Sequence, residues 1–120
     1  MNAMTVTMEV PPEWLAEAGL QNFKPVRPSI LCAARHELIA LGEIEPFVRL
    51  VPIDANGFRR SKMMPVLEMI RDDRPSKEPI QVIRQAGQWR YRLHDGVHRY
   101  YASRTLGFTH VPAEVIDPIY

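Results

Sequence analysis

The stretch that decides the fold is Asp95-Gly96-Val97-His98-Arg99-Tyr100-Tyr101-Ala102. A strand-like segment precedes the Asp-Gly pair, which predicts a tight turn, and the residues that follow predict a helix. The opening turn of this helix carries two basic side chains, His98 and Arg99. A helix N-terminus presents unpaired N–H groups and the positive end of the macrodipole, so basic residues are unfavourable there unless an anion joins them. A phosphate group would fit this position.

A simpler interpretation of the same stretch needs no ligand. Asp95 would cap the helix and pair with Arg99 four residues further on, and His98 would point into water. The local sequence leaves both interpretations open, so the surrounding pattern has to decide between them.

Length and composition predict one soluble globular domain. The chain has 120 residues, of which 46% are hydrophobic and 24% are charged. No segment approaches the roughly 18 apolar residues of a membrane span, and the N-terminus lacks the layout of a secretory signal. Cys32 is the only cysteine, so no disulfide framework is predicted, and its apolar surroundings indicate a small buried hydrophobe rather than a nucleophile. We therefore expect a cytoplasmic protein without a membrane partner.

Charge is distributed unevenly along the chain, although the formal net charge is only +1. Residues 1–54 contain seven acidic and four basic residues, whereas residues 55–104 contain eleven basic and five acidic residues. This asymmetry favours an anionic ligand, from a nucleotide to a nucleic acid, bound by the C-terminal part. No acidic cluster suited to a catalytic metal is evident in the sequence. We therefore predict no metal site.

Residues 1–46 are predicted to be a helical extension that packs on the core of a second unit, residues 47–120. Prolines at the front, acids in the first turns and a glycine stop predict a short helix over residues 11–19. A second helix is predicted over residues 30–41, where apolar residues recur at helical spacing and Gly42 ends the pattern.

Residues 47–120 alternate between strand and helix patterns. The predicted strands cover residues 47–54, 79–84, 89–94 and 110–116. The predicted helices cover residues 63–71 and 97–106, and a basic loop at 58–62 precedes the first of them. Asn56-Gly57 and Ala86-Gly87 mark turns. Pro65 would fall in the first turn of its helix, and Pro112 indicates an edge strand or a strand start.

The strand at 89–94 has a clean two-residue alternation. Trp89, Tyr91 and Leu93 would face the core. Arg90, Arg92 and His94 would form a basic outer face, to which Arg84 of the preceding strand would add.

The order of these elements resembles the ParB N-terminal/sulfiredoxin superfamily over about residues 47–117. The motifs that carry the resemblance are Pro79-Ile80-Gln81-Val82, the segment 91–102, Leu106-Gly107 and Val111-Pro112. The resemblance implies an α+β fold with a small mixed sheet flanked by helices. Residues 1–45 have no counterpart in it.

The resemblance also implies a site for nucleotide phosphates at the strand-turn-helix junction, which binds ATP or ADP in sulfiredoxins and CTP in ParB proteins. His98 and Arg99 match the phosphate-contacting pair of sulfiredoxins, and Lys62 matches a basic residue there. Asp95 and Gly96 would form the turn. The implied cofactor is a nucleotide, with Mg²⁺ as an optional companion ion. Further basic residues would support the site from nearby: Arg59, Arg60 and Arg92.

Three departures from the family pattern limit the reactions and the ligands that we expect for this chain. Val97 stands where sulfiredoxins have their catalytic cysteine, so sulfinic-acid reduction by their mechanism is not expected. Two hydroxyl residues of the sulfiredoxin site are replaced by Pro65 and Met69, which leaves fewer hydrogen bonds for a nucleotide. Because the chain ends at Tyr120, we expect it to lack the C-terminal parts with which ParB proteins clamp DNA. No catalytic residue is assigned.

These observations predict a nucleotide- or phosphate-binding single-domain protein, with phosphotransfer or nucleotide hydrolysis as the reactions to consider. The alternative is a DNA-associated adaptor related to plasmid and chromosome partition proteins, which would use the basic strand face. A third role, partner binding through the N-terminal helices, stays open, and the sequence does not fix the oligomeric state.

Overall fold

The computed structural model describes residues 8–45 and 57–118. Its elements are, in chain order, α1 (Pro12–Glu17), β1 (Glu37–Ala40), a 3₁₀ turn (Leu41–Glu43), β2 (Ile44–Glu45), α2 (Arg60–Arg71), β3 (Ile80–Ile83), β4 (Tyr91–Asp95), α3 (Val97–Thr105) and β5 (His110–Ile116). The predicted strand at 47–54 and the turn residue Asn56 lie outside the described residues.

Five strands of the described residues form one mixed sheet in the order β1-β5-β3-β4-β2. The two edge strands pair in opposite senses: β1 is antiparallel to β5, and β2 is parallel to β4. In the centre, β3 is parallel to β5 and antiparallel to β4. With helices packed on the sheet, the fold is α+β, which confirms the prediction.

The core lies between one face of the sheet and the helices. Buried residues from neighbouring strands face each other in register, such as Val82 opposite Leu93. Helix α2 buries Met63, Leu67 and Ile70, which lie on one face because they are four and three residues apart. Helix α3 packs beside α2 and buries Tyr100, Tyr101, Ala102 and Ser103.

The short N-terminal helix is confirmed as α1, but the helix predicted over residues 30–41 is wrong. Residues 37–40 instead form β1 and pair with β5, so that Ile39 lies opposite Val111. Before β1, the backbones of Cys32 and Ser76 pair in an isolated parallel β-bridge. The apolar spacing did not distinguish a helix from a strand, and long-range backbone pairing with β5 decided the outcome.

The division into residues 1–46 and 47–120 stays a prediction. Two observations bear on how tightly the parts are joined. Strands β1 and β2 belong to the same sheet as β3, β4 and β5. The first residues described add buried apolar side chains to the same core: Met8, Val10, Trp14, Ala18 and Leu20.

Two predictions about prolines change with the structure. Helix α2 begins at Arg60 rather than Met63, so Pro65 lies inside the helix instead of in its first turn. Strand β5 lies between β1 and β3, so the prediction that Pro112 lies in an edge strand is wrong. A proline is tolerated there because the parallel pairing with β3 begins at the next residue, Ala113 opposite Ile80.

The prediction that Trp89 faces the core is also wrong. Strand β4 begins only at Tyr91, and the Trp89 side chain is 75% exposed. The guanidinium of Arg90 lies over its ring, 5.6 Å from the centroid. The alternation holds within the strand itself, where Leu93 is buried and Arg92 and His94 are exposed.

Candidate functional site

Gly96 makes the turn between β4 and α3, and no other residue fits this position well. Its φ of +97° lies in the left-handed region that side chains disfavour. A Cβ atom built on it would lie 2.6 Å from Cγ2 of Ile80 and 2.8 Å from Cβ of Ile80. The glycine therefore lets the turn lie directly against β3 and sets where α3 begins.

Helix α3 starts at this turn, where the carboxylate of Asp95 accepts from the amide of Gly96. Gly96 is the N-cap, and the described residues supply neither a side-chain cap nor an acidic residue in the first turn. The amide of Tyr100 donates to the carbonyl of Gly96 at 2.9 Å. The amides of Val97, His98 and Arg99 precede this bond and have no acceptor within the helix.

Helix α2 begins in a similar way, and its first residue, Arg60, forms an ion pair with Glu17 of α1. Its N-cap is Arg59, and again the described structure provides no side-chain cap and no acidic residue in the first turn. The amides of Lys62 and Met63 both donate to the carbonyl of Arg59, at 3.0 and 2.9 Å. Lys62 is exposed in this first turn, which places a further positive charge at a positive helix end.

The two helix N-termini meet at His98. The amide of Arg59 donates to Nε2 of His98 at 3.3 Å. Beneath this bond, the buried ring of Phe58 lies 5.7 Å from the imidazole and 5.3 Å from the ring of Tyr101. Because Nε2 accepts a hydrogen bond, the structure corresponds to a neutral imidazole with its proton on Nδ1.

Asp95 and Arg99 do not pair with each other, so the ligand-free interpretation based on that pair is wrong. The carboxylate of Asp95 accepts from the amide of Gly96, with Oδ1 and N 2.8 Å apart. Nη1 of Arg99 donates instead to Oγ of Ser76, at 3.2 Å, and to the carbonyl of Glu78. Ser76 is buried and donates to the same carbonyl at 2.7 Å. Arg99 thus holds the segment that leads into β3.

The three supporting residues have different positions. Arg60 forms an ion pair with Glu17, which raises the pKa of the guanidinium and lowers the pKa of the carboxyl through their hydrogen bond and charges. The exposed Arg59 contributes its backbone amide to the cluster. Arg92 lies on the face of β4 opposite to the buried Leu93, away from the helices. The structure therefore places Gly96, His98 and Arg99 at the start of α3 and Lys62 in the first turn of α2, whereas Arg92 lies on the other face of β4.

The basic strand face that supported a DNA-associated role is not a continuous stripe. Nε of Arg84 lies 3.2 Å from Oδ1 of Asp117, and its guanidinium lies over the ring of Tyr91. Arg90 turns towards Trp89. Of the four residues in the proposed stripe, Arg92 and His94 are the two that project side by side from β4.

Sequence reasoning missed Phe58, Ser76 and the carbonyl of Glu78, although all three contact the predicted site residues. The sequence pattern places Phe58 only in a basic loop, and Ser76 lies 23 residues from Arg99 along the chain. The one sequence signal for Ser76 was that it is a small polar residue in a loop rich in charged residues. This pattern is too common to identify a contact of the site. The described part of the chain has no group of residues suited to hold a metal ion. It also has no helix long and apolar enough to cross a membrane.

Comparison with solved structures shows which known fold this architecture resembles. Sulfiredoxin from Arabidopsis thaliana superposes with a TM-score of 0.53 and 21% sequence identity, over 71% of this chain and 88% of that one. The fold is the sulfiredoxin fold. The predicted resemblance is thereby confirmed for the sulfiredoxin fold. No family model and no curated protein matches the chain at the sequence level.

Two longer proteins share this sulfiredoxin-like fold. A conserved hypothetical protein from Pyrococcus furiosus gives a TM-score of 0.55 with 20% identity, over 72% of this chain and 34% of that one. A free serine kinase in complex with AMP gives a TM-score of 0.54 with 18% identity, over 77% of this chain and 35% of the kinase. The chain thus spans about a third of the length of each of these two proteins.

Proposed function

We propose that this protein binds a nucleotide, or another phosphorylated small molecule, at the junction of β4 and α3. One observation carries the proposal: the N-termini of α2 and α3 converge at His98, and neither has an acidic residue in its first turn. Two positive helix ends that meet at one residue form an environment that an oxyanion stabilises. The AMP in the similar serine kinase supports the choice of a nucleotide.

Each residue of the cluster has a definite part in this proposal. Gly96 makes the turn against Ile80 with a positive φ and thereby sets where the N-terminus of α3 lies. Lys62 supplies a mobile positive charge from α2. Among the described residues Arg99 uses only Nη1 for Ser76 and Glu78, and its other donors are available to a phosphate oxygen.

His98 would serve as a switchable contact. In the structure its Nε2 accepts the amide of Arg59, and a phosphate would compete for that amide. A ligand that takes the amide releases Nε2, which then gains a proton and becomes a second positive donor. Phosphotransfer or nucleotide hydrolysis would build on such a bound state, but Val97 supplies no nucleophile and we assign no catalytic residue.

Calorimetric titration with AMP, ADP, ATP and CTP, each with and without Mg²⁺, tests the proposal. We expect at least one nucleotide to bind, and Lys62→Ala and His98→Ala each to weaken binding by about tenfold, because each removes one charge-assisted contact. Lys24→Ala is the matched control, since this exposed lysine lies beside the opposite end of α2. Absence of binding by all four nucleotides at millimolar concentration would overturn the proposal.

A DNA-associated role is the second candidate. The observation in its favour is the exposed Trp89 next to Arg90, because aromatic and arginine side chains together suit stacking on bases. Gel-shift affinity that falls steeply with salt and is lost in Trp89→Ala would support it. No shift at low salt would exclude it.

A further inference from the structure

A second pocket of about 280 Å³ lies along the middle and end of α3, away from its N-terminal turn. The side chains that line it combine an apolar floor with two arginines. They are Leu41, Gly42, Ile44, Arg90, Tyr100 and Arg104. None of the sequence motifs predicted this site.

The topology explains why these residues meet. Strand β2 runs parallel to β4, with Ile44 opposite Tyr91, so the 3₁₀ turn that precedes β2 lies beside Arg90. Tyr100 and Arg104 are four residues apart and therefore lie on one face of α3. Three segments that are distant in sequence thus place two guanidinium groups around one concave surface.

The charged side chains that line this pocket are all positive. No carboxylate is present among its described lining residues, and in the described part of the chain neither Arg90 nor Arg104 has an ion pair. Burial raises the pKa of Tyr100, and the positive charges of Arg104 and Arg90 oppose that rise, so both arginines act on its hydroxyl. Two like charges around one pocket repel each other, and an anion between them removes the repulsion.

Arg90 is also held in an orientation that suits anion binding. Its guanidinium lies over the ring of Trp89, 5.6 Å from the centroid, and its carbonyl accepts a hydrogen bond from Nε2 of Gln85 at 3.1 Å. Stacking occupies a face of the guanidinium, whereas the N–H donors lie at its edge. The edge can therefore donate to a planar or tetrahedral oxyanion while the stack is kept.

We propose that this pocket binds a small doubly charged oxyanion, a phosphate monoester or a dicarboxylate, between Arg90 and Arg104. The two positive charges match a dianion, Tyr100 lines the pocket with them, and Leu41 and Ile44 would contact the apolar part of the ligand. The proposal does not depend on nucleotide binding at the β4–α3 turn, because the two sites share no residue.

Titration of the full chain with phenyl phosphate and with malonate tests this inference and distinguishes the two sources of the dianion. Calorimetry gives the affinity. Tryptophan emission gives the location, because the exposed Trp89 touches Arg90 whereas Trp14 is buried. All titrations are repeated in Lys62→Ala/His98→Ala, which weakens phosphate binding at the other site.

We expect at least one probe to bind and to change the emission of Trp89 in that background. Arg90→Gln and Arg104→Gln should each weaken binding at least tenfold, whereas Arg92→Gln should stay within twofold of the wild type. Arg90→Lys and Arg104→Lys keep the charge, so they should retain part of the affinity even where a glutamine variant folds poorly. Affinities of both glutamine variants within twofold of the wild type, or no binding of either probe at millimolar concentration, would overturn the inference.

Discussion

The backbone amide of Arg59 donates to Nε2 of His98 over 3.3 Å, and this bond joins the N-cap residue of α2 to the opening turn of α3. The two residues are 39 positions apart in the sequence. The bond fixes the imidazole of His98 against Phe58 and satisfies an amide at the start of α2. It therefore links the stability of the two helices to the state of one histidine.

Removing this histidine should destabilise the fold. In His98→Ala the amide of Arg59 loses its acceptor and Phe58 loses an edge contact, which should cost about 1–2 kcal/mol. Urea unfolding measures the loss. His94→Ala is the control, because His94 is exposed on β4. Equal effects of the two substitutions would show that the Arg59–His98 bond contributes nothing specific.

Gly96→Ala should be far more harmful than Gly87→Ala. Both glycines have a positive φ, +97° and +73°, which costs an alanine about 1–2 kcal/mol. At Gly96 the new Cβ also overlaps Ile80, and this should add about 1–3 kcal/mol of overpacking. At Gly87 nothing in the described structure lies within 4 Å of that atom. Similar midpoints of chemical unfolding for the two variants would contradict the close approach of the turn to β3.

Arg99 and Ser76 should be energetically coupled. Their hydrogen bond of 3.2 Å joins α3 to the segment before β3, so a double-mutant cycle with Arg99→Ala and Ser76→Ala should give a coupling of about 0.5–1.5 kcal/mol. Hydrogen exchange should quicken at residues 76–78 in Arg99→Ala. The same cycle between Ser76 and the exposed Arg92 should give a coupling near zero, and an equal value there would refute the specific contact.

Ser103→Ala should stabilise the protein. Ser103 is fully buried in α3, and its hydroxyl has no hydrogen-bond partner among the described residues. An unsatisfied buried hydroxyl costs about 1–3 kcal/mol, which alanine removes while improving helix propensity. Thermal unfolding measures the gain. Thr105→Ala, at the exposed end of the same helix, should change the midpoint little, and a lower midpoint for Ser103→Ala would reveal a hydrogen bond at this site.

Stability should fall in alkaline solution because of two buried tyrosines. Burial raises the pKa of Tyr100 and of Tyr101 above the usual value of 10.0. The folded state then holds protons that the unfolded state has released, so the contribution is fully present below pH 10 and is lost as pH rises through the higher folded-state values. Urea unfolding between pH 8 and about 11 measures the slope. Tyr100→Phe and Tyr101→Phe should flatten it, and Tyr91→Phe is the matched control.

Local sequence patterns predicted the β4–α3 connection well. The Asp-Gly pair, the alternation before it and the glycine after the helix correspond to Gly96, β4 and the end of α3 near Gly107. These features follow from backbone preferences of a few adjacent residues, which a single sequence displays directly. The basic pair at the helix start was also identified correctly as residues of its first turn.

The same reasoning failed where distant backbone pairing decides the structure. The apolar residues between 30 and 41 satisfied a helical spacing, yet pairing with β5 made residues 37–40 a strand. Trp89 satisfied the alternation of β4, yet the strand begins two residues later and leaves it exposed. In both cases a periodic pattern was compatible with two structures of similar local energy, and long-range contacts selected one.

The sequence alone determined the turn at Gly96 and the basic start of α3, because each depends on residues that are neighbours in the chain, and its resemblance to a known family implied the class of fold. Only the tertiary structure decided what these residues touch. It directed Arg99 to Ser76 rather than to Asp95, brought the amide of Arg59 to His98, and placed Arg90 and Arg104 in the lining of one pocket. Such contacts join segments tens of residues apart, and packing of the sheet against its helices fixes them.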